Sequence, residues 1–520
     1  MPLITFNIGE IENLGATVTV PDGTALLEAA RSAGIEIESP CGGNGTCGKC
    51  TVKIAKNSAS EFTEVQACQI KVEDDTYVLI RDYQNENRSM RILSQGKNFS
   101  YDLDPFIKKE PPCYGIVIDI GTTTLVSTLV DLNTGKTLAS ESALNPQVRY
   151  AQDVVSRIQF ASTADGLHTM RSCLVETITG MIAKITDAAA ADTTAESTEI
   201  NRLKIYEVVY SGNTVMLHIA VGVDPSPLGQ APYTPKIWGG SHVEAPDLGL
   251  AHEALVYLPP IISGYVGADI TSGILAAGLA ERKGVTVFID IGTNGEIVVS
   301  RNGVLAASST AAGPCFEGMN ISCGMRAMNG AVESFKIDDG GNIHFSVIGG
   351  GTAQGICGSG LLDITAELVR TGIIEESGRF SKIYPINEKD GTGAFPITEN
   401  IYLSQRDVRQ VQLAKGAVRC GIEMLLDTLN VSSEEVDSVI IAGSFGYHLN
   451  ENSLINLGLL PDSFAGKVEF AGNTSLSGGT ALLLNAGLRK KMEALVKKIE
   501  KVELADDPMF EENFVHYMGF

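Results

Sequence analysis

Four cysteines within the first 68 residues have the types and spacing of a metal site. Cys41, Cys47 and Cys50 follow the pattern Cys-x5-Cys-x2-Cys, and 17 residues separate Cys50 from Cys68. Thiolates bind soft metal ions and iron–sulfur clusters. The loop is rich in glycine, which permits positive φ angles and removes side-chain bulk, so the backbone can wrap closely around a cluster. We therefore expect these four thiolates to hold a metal centre.

The sequence around these cysteines resembles that of 2Fe–2S ferredoxins. The plant-type pattern is Cys-x4-Cys-x2-Cys with a distant fourth cysteine. This chain has one more residue in the first gap, as vertebrate-type ferredoxins do. A zinc site of four cysteines usually has two Cys-x2–4-Cys pairs, and one of them is missing here. The resemblance favours a 2Fe–2S cluster over zinc or buried thiols, and the early Cys68 predicts a shortened hairpin.

Two copies of an Asp-Ile-Gly-Thr turn indicate phosphate binding. One copy starts at Asp119 and the other at Asp290, and each follows an apolar strand and precedes two more strands. Glycine lets the backbone approach phosphate oxygens, hydroxyls and amides can donate to them, and the aspartate can hold hydrated Mg²⁺. One such turn is weak evidence, but two copies 171 residues apart predict two similar lobes facing a cleft. The candidate ligands are Asp119, Gly121, Thr122, Thr123 and Thr124 in the first copy and Asp290, Gly292, Thr293 and Asn294 in the second.

A third motif follows a buried strand that ends at Ala442. With it, the sequence resembles the ATPase superfamily of actin, the sugar kinases and the heat-shock chaperones, which has two phosphate motifs and then an adenosine motif. The resemblance implies that the nucleoside is bound by Gly443, Ser444, Phe445 and Gly446. Connecting helices are predicted around 270–280 and 477–488. No Walker loop GxxxxGK[ST] is present, which excludes a P-loop enzyme.

Asp269 and Asp290 are the candidate catalytic residues. Asp269 lies where the sugar kinases carry the carboxylate of a Gly-Asp-Gln motif ahead of a connecting helix, although the glutamine is absent here. A carboxylate at this position could orient or deprotonate an attacking water. It could equally cap the helix, and the sequence leaves both roles open for Asp269.

The elements that position these motifs predict an α/β and α+β multidomain protein. Its parts are a β-grasp ferredoxin domain, a linker, and two RNase H-like α/β lobes around an ATP cleft. The predicted boundaries are 1–82 for the ferredoxin domain, 83–112 for the linker, 113–284 for lobe I, 285–476 for lobe II, and 477–520 for a connecting helix and C-terminal tail. Within that tail, LRKKMEALVKKIEKVEL predicts an amphipathic helix.

Composition excludes several classes of partner. Lys and Arg total 39 against 62 Asp and Glu, a formal charge of −23 over 520 residues, which repels nucleic acid and anionic membranes. No apolar run approaches the roughly 20 residues of a membrane helix, and the N-terminus has no secretory-signal pattern. We therefore expect a cytoplasmic protein, in which cysteines act as metal ligands, catalytic groups or buried thiols rather than forming disulfides.

The order of the whole chain resembles one family, the reductive activators of corrinoid proteins. Its ATPase region is similar to phrases such as SGNTVMLHIAVGVDPSPLGQAPY, FIDIGTNGEIV and GICGSGLLD. The resemblance implies ATP-dependent reduction of a Co(II) corrinoid protein to Co(I), with Mg-ATP and a 2Fe–2S cluster as cofactors. It also implies a homodimer. The electron donor stays open, since a ferredoxin, a flavodoxin or a separate reductase would each fit.

Two other functions remain open from the sequence. An activator of a different low-potential metalloenzyme is one, although 2-hydroxyacyl-CoA dehydratase activators lack a ferredoxin domain. A redox-sensing, chaperone-like ATPase is the other. Among residues outside the motifs, Cys315, Cys323 and Cys357 are interpreted as ordinary thiols, and His218 as a hydrogen-bonded core histidine.

Overall fold

The computed structural model describes residues 1–8, 15–33, 35, 37, 39, 43, 45, 50–57, 60–80, 100–191, 202–382, 387–389, 392–443 and 449–520. They form two compact units. The first contains the described residues up to 80 together with 147–152, and the second contains the others from 100 onward. None of the helices in the described ranges combines the length and hydrophobicity needed to cross a membrane.

The first unit is a mixed β-sheet covered by a short helix. Its elements are β1 (Leu3–Ile8), β2 (Gly15–Thr19), β3 (Thr24–Ala25), α1 (Leu26–Ser32), β4 (Thr51–Ala55), β5 (Thr63–Gln66), β6 (Lys71–Val72) and β7 (Thr76–Ile80). The sheet order is β2-β1-β7-β4-β5, with β1 parallel to β7. Leu26, Leu27 and Ala29 of α1 pack into the core with Ile4 and Phe6. This arrangement confirms the predicted β-grasp ferredoxin fold.

The second unit contains two lobes, and lobe I has a six-stranded sheet of order β10-β9-β8-β11-β13-β12. Its elements are β8 (Tyr114–Ile120), β9 (Thr124–Asp131), β10 (Thr137–Leu144), α2 (Val154–Phe160), α3 (Ala164–Ala191), β11 (Ile205–Gly212), α4 (Thr214–Ala220), β12 (Ser241–Glu244), β13 (Leu255–Leu258) and α5 (Ala268–Ala276).

Lobe II has a sheet of order β24-β23-β14-β15-β16-β25 and two smaller sheets. Its first elements are β14 (Val285–Ile291), β15 (Gly295–Arg301), β16 (Val304–Thr310), β17 (Ala331–Ile337), β18 (Ile343–Val347), β19 (Gly355–Ile356), α6 (Gly358–Arg370), β20 (Asn387–Lys389), β21 (Thr392–Pro396) and β22 (Tyr402–Ser404). The later ones are α7 (Gln405–Thr428), β23 (Ser438–Ala442), α8 (Glu451–Asn456), β24 (Val468–Gly472), β25 (Glu500–Lys501) and α11 (Phe510–Tyr517). Between β24 and β25 lie α9 (Thr474–Leu484), which packs against β8 and β11 of lobe I, and α10 (Ala486–Val496).

The internal repeat is confirmed, because β8-β9-β10 and β14-β15-β16 are equivalent antiparallel meanders. A parallel strand lies beside each meander, β11 along β8 and β23 along β14. Central strands covered on both faces are apolar throughout, and in β8 and β14 every residue is buried except the penultimate aspartate. Asp119 and Asp290 are therefore the points at which each central strand leaves the core.

Helices α5 and α9 pack together where the two lobes meet the cleft floor. A Cβ atom on Gly478 of α9 would lie only 2.0 Å from the carbonyl oxygen of Ser272 in α5. The backbones can therefore approach only because this residue has no side chain. The helix predicted over 477–488 begins earlier, at Thr474, and is interrupted at Asn485, whose side chain accepts a hydrogen bond from the Leu488 amide and starts α10.

The amphipathic helix predicted at the C-terminus is wrong beyond Val496. The chain there forms β25, which pairs in parallel with β16 of lobe II. Edge-strand pairing satisfies backbone groups that the local helical pattern would have satisfied internally. Tertiary context therefore overrides helix propensity at this point.

Candidate functional site

In the first unit, Cys50 and Cys68 are brought together by the ends of neighbouring segments. Their sulfur atoms lie 3.3 Å apart, which suits two ligands of one metal atom. Gln69 donates hydrogen bonds to the Gly43 carbonyl oxygen at 3.3 Å and to Cys68 Sγ at 3.5 Å. Gly43 and Gly45 have φ angles of 91° and 76°, so the loop uses the positive φ expected of glycine. The candidate ligands Cys41 and Cys47 lie outside the described residues.

In the second unit, Asp119 lies on the cleft floor and is held by the start of α9. Asn473 Nδ2 donates to Asp119 Oδ2 at 2.8 Å, and Ser475 Oγ donates to Asp119 Oδ1 at 2.7 Å. Asn473 is also the N-cap of α9, because its Oδ1 accepts from the Leu476 amide. The chain that leaves lobe II thus fixes the carboxylate of lobe I.

Asp290 occupies the equivalent position in lobe II, beside the start of the adenosine motif. The parallel register pairs Asp290 with Ala442, which places Gly443 against the carboxylate. A Cβ atom on Gly443 would lie 2.6 Å from Asp290 Oδ1, and its φ angle is 95°. The remaining candidates of this motif, Ser444, Phe445 and Gly446, lie outside the described residues.

Asp269 is the second residue of α5 and lines the same cleft. The N-cap of this helix is Gly267, which makes no side-chain capping bond. Asp269 Oδ1 accepts a hydrogen bond from the Ile270 amide at 2.9 Å. The Asp269 carboxylate therefore accepts a hydrogen bond from the Ile270 amide in the first turn of the helix and also faces the cleft.

The acidic groups of the cleft are unfavourable as anions. Burial raises the pKa of Asp290 to about 7, and the charge of Asp119 adds to this effect. Burial, followed by the charge of Asp290, raises the pKa of Asp269. Burial likewise raises the pKa of Asp119 and, well above its ordinary range, that of Glu296. A cation is favoured in such a site because it relieves both desolvation and mutual repulsion.

The two phosphate turns face each other across one carboxylate. Thr123 of the first turn donates its hydroxyl hydrogen bond to Glu317 Oε2. Thr293 of the second turn donates to Glu317 Oε1 at 2.5 Å. We call this pair of bonds the Glu317 bridge. The structure thus brings the predicted residues Asp119, Gly121, Thr122, Thr123, Thr124, Asp269, Asp290, Gly292, Thr293, Asn294 and Gly443 to one cleft.

Sequence reasoning missed several residues that support this cleft. Asn145 donates to the Gly121 carbonyl oxygen at 2.8 Å, and the buried Arg157 donates to that of Thr122 at 2.5 Å. Burial lowers the pKa of Arg157 to about 9.

Arg326 is the one cationic side chain among the described residues that line the cleft, and its Nε is buried without a hydrogen-bond partner in the described structure. Glu317, Asn473 and Ser475 were also missed.

The interpretation of His218 as a hydrogen-bonded core residue is confirmed. It is buried, its Nδ1 lies 2.7 Å from the Thr214 carbonyl oxygen, and its Nε2 accepts from the Lys236 amide at 3.0 Å. Cys315, Cys323 and Cys357 make separate contacts with backbone carbonyl oxygens, at distances of 3.2 to 3.8 Å. Within the described ranges, no group of three or more His, Cys, Asp or Glu side chains is close enough to hold a metal ion alone.

Comparison with family models assigns most of the chain. Residues 10–73 match the 2Fe-2S iron-sulfur cluster binding domain. Residues 114–282 match the RACo middle region, and residues 284–520 match the C-terminal domain of RACo, the ASKHA domain. These matches confirm a 2Fe–2S ferredoxin domain and an ATPase region of the actin and sugar-kinase type.

Individual relatives match most of the chain. The chain is 29% identical to the corrinoid activation enzyme RamQ of Eubacterium limosum, with 96% of each chain covered. It is 24% identical to the [Co(II) methylated amine-specific corrinoid protein] reductase of Methanosarcina barkeri, covering 74% of this chain and 73% of the other. Among solved structures, it is similar to a reductive activator for corrinoid, iron-sulfur protein, with a TM-score of 0.72, 28% identity, and coverage of 100% and 98%.

Proposed function

We propose that this chain, which belongs to the RACo family of reductive activators of corrinoid proteins, reduces the Co(II) form of a corrinoid protein. One electron passes from a 2Fe–2S cluster to cobalt at the expense of ATP and regenerates Co(I). The observation that carries the proposal is the presence, in one chain, of a ferredoxin cysteine loop and an ATPase cleft lined by paired phosphate turns. Similarity to a corrinoid activation enzyme along 96% of the chain supports it.

Energy coupling explains why both parts are needed. Plant-type clusters have potentials near roughly −400 mV, and each ~59 mV of deficit lowers a one-electron equilibrium about tenfold. An acceptor a few hundred millivolts lower is therefore not reduced to a useful extent by the cluster alone. ATP binding and hydrolysis can shift this equilibrium if they stabilise a complex in which the cobalt is easier to reduce.

We propose that the phosphate turns and the adenosine motif bind Mg-ATP. In this proposal, amides and hydroxyls donate to the nucleotide from Gly121, Thr122, Thr123, Thr124, Gly292, Thr293, Asn294, Gly443, Ser444, Phe445 and Gly446. Asp119 and Asp290 would hold the magnesium ion through its water shell. Mg²⁺ commonly uses one or two carboxylates together with substrate phosphates, which suits carboxylates whose raised pKa values favour a nearby cation.

We propose that Asp269 orients or deprotonates the attacking water and that Asp290 is the second catalytic carboxylate. Burial raises the pKa of both carboxyl groups, which makes each a better proton acceptor near neutral pH than an ordinary aspartate. The Ile270 amide holds one oxygen of Asp269, so the other oxygen can orient the water.

The four cysteines Cys41, Cys47, Cys50 and Cys68 would hold the cluster. The short distance between Cys50 and Cys68 sulfurs and the Gln69 hydrogen bond fit this group. Bound there, a 2Fe–2S cluster supplies a one-electron carrier. The thiolate ligands fit a reducing cytoplasm.

The proposal also covers partners and domain boundaries. A separate ferredoxin, flavodoxin or reductase would provide the electron, and a second copy of the chain would complete a homodimer. The proposed domain boundaries are 1–82, 83–112, 113–284, 285–476 and 477–520.

Anaerobic visible spectroscopy tests the proposal. The reduced protein is mixed with candidate Co(II) corrinoid proteins, with and without Mg-ATP. We expect Co(I) absorption to appear with ATP and to be absent without it. A cluster that is reduced while no corrinoid protein responds under any nucleotide condition would refute the proposed acceptor.

A further inference from the structure

Glu317 accepts a hydrogen bond from one threonine hydroxyl of each phosphate turn. One oxygen of its carboxylate accepts from Thr123 in lobe I and the other accepts from Thr293 in lobe II. A carboxylate and a phosphate group present similar pairs of anionic oxygens to such donors. Glu317 therefore accepts from Thr123 and Thr293 the hydrogen bonds that a phosphate group could accept.

We propose that Glu317 is an internal competitor of the nucleotide phosphates, and that ATP must break the Glu317 bridge to bind. The inference rests on the proposed function, because it assumes that Thr123 and Thr293 contact phosphate. It assigns Glu317 as a positioning residue that holds the two turns together until nucleotide arrives. The same competition sets the nucleotide affinity.

The segment that carries Glu317 is built to transmit its displacement. Glycines with positive φ flank it, Gly313 at 79° and Gly318 at 76°. A Cβ atom on Gly318 would lie 2.1 Å from the Met325 carbonyl oxygen, so the turn at 318 packs directly against the irregular segment that contains Met325. A shift of the backbone at Gly318 would therefore displace the backbone around Met325.

Arg326 follows in this stretch and reaches the same cleft. Its Nε is buried without a hydrogen-bond partner among the described atoms. The other ionisable groups on the described cleft lining are acidic. An arriving phosphate would repel Glu317 and attract Arg326, so both charges favour the same rearrangement of residues 314–326.

Binding of the non-hydrolysable ATP analogue AMPPNP to three proteins tests the bridge: the unmodified chain, Glu317→Gln and Glu317→Ala. Glutamine can still bond both hydroxyls but has no charge, whereas alanine removes bonds and charge. Hydrogen bonds to a charged group are stronger than those to a neutral group. Because AMPPNP need not break such bonds in Glu317→Ala, we expect this variant to bind AMPPNP about tenfold more tightly than the unmodified chain does. Glu317→Gln should fall between the other two, and adenosine affinity should stay unchanged. Glu281→Ala is the control, because it removes the same charge at an exposed position outside the described cleft lining.

The three affinities distinguish the Glu317 bridge from other roles of this carboxylate. Equal tightening in both Glu317 variants would mean that charge repulsion alone acts, and this would overturn the bridge. Weaker binding in either variant would overturn it in favour of a role for Glu317 in holding magnesium. If the unmodified chain bound no AMPPNP, the proposed function would fall together with the bridge. If it bound AMPPNP and all three affinities agreed, only the bridge would fall.

Hydrogen exchange supplies a readout that a simple loss of stability would not give. The amides of Gly318 and Met319 donate to the carbonyl oxygens of Cys315 and Pro314 at 2.9 and 3.2 Å. AMPPNP should speed exchange at these two amides in the unmodified chain, and Glu317→Ala should show fast exchange without ligand. Slower exchange on AMPPNP binding would contradict release of the segment. Arg326→Ala should weaken AMPPNP binding, and unchanged affinity would remove Arg326 from the proposed rearrangement.

Discussion

Replacing Gly443 with alanine tests the geometry around Asp290. Gly443 has a φ angle of 95°, and an added Cβ would lie 2.6 Å from Asp290 Oδ1 and 3.1 Å from the Ile291 carbonyl oxygen. The substitution therefore has two effects. It places a side chain in a left-handed backbone conformation, and it pushes the carboxylate that we assign to magnesium.

The two effects differ in size and in consequence. A left-handed conformation costs an L-residue about 1–2 kcal/mol of folding free energy. A Cβ atom normally lies 3.4 Å or more from a neighbouring heavy atom, so the carboxylate oxygen must retreat by about 0.8 Å. Mg²⁺ demands near-ideal octahedral geometry, and a misplacement of about 1 Å can cost about 100-fold in rate. We expect ATP-dependent Co(II) reduction by Gly443→Ala to fall about 100-fold, with an unchanged visible spectrum of the cluster.

Gly466→Ala is the matched control. Gly466 also has a positive φ angle, 75°, but an added Cβ would meet no atom within 4 Å. Urea unfolding should show that both variants lose about 1–2 kcal/mol of unfolding free energy, while only Gly443→Ala loses Co(I) formation and Mg-AMPPNP affinity. If both variants lost activity equally, general destabilisation would explain the effect. If Gly443→Ala kept full activity, the position of Asp290 would not matter for ATP use, and its assignment to magnesium would be refuted.

Further predictions concern the cluster and the second phosphate turn. Cys47→Ser should abolish electron transfer and spare AMPPNP binding, since thiolates and nucleotide ligands belong to different units; loss of binding in a folded variant would contradict this modularity. Asp290→Ala should keep the cluster spectrum but lose ATP-driven reduction, and unchanged Co(I) formation would argue against the assigned role. Gln69→Leu removes the amide that donates to Cys68 Sγ. Because hydrogen bonds to sulfur stabilise the more negative reduced state, a redox titration should give a lower potential, and an equal or higher one would show that this bond does not tune the cluster.

The sequence predicted those parts of the site that carry a strong local pattern. Two apolar strands that each end in Asp-Ile-Gly-Thr were enough to locate Asp119 and Asp290, because strand burial leaves the penultimate polar residue at the strand end. The cysteine loop was equally clear from its spacing. The structural surroundings of residues within such motifs can be inferred from a short stretch of neighbouring sequence.

Residues that act through distant partners could not be predicted in this way. Glu317 lies 194 positions from Thr123, and Ser475 lies 356 positions from Asp119. A single polar residue in a loop gives no periodic signal. Asn473 did offer a usable clue, since an asparagine after an apolar strand and before a helix is a typical N-cap. The C-terminal helix prediction failed at 500–501 because pairing with β16 outweighed the local pattern.

The hold of Asn473 and Ser475 on Asp119 has a consequence for biosynthesis. A ribosome emits the ferredoxin unit first, and domains generally fold in the order of synthesis. The Asp119 carboxylate of lobe I, in contrast, can form its hydrogen bonds with Asn473 and Ser475 only after a further 354 and 356 residues have been synthesised. A nascent or prematurely terminated chain that lacks α9 could therefore complete its N-terminal ferredoxin fold yet have no finished nucleotide site. Translation order thus separates maturation of the electron carrier from the ability to consume ATP.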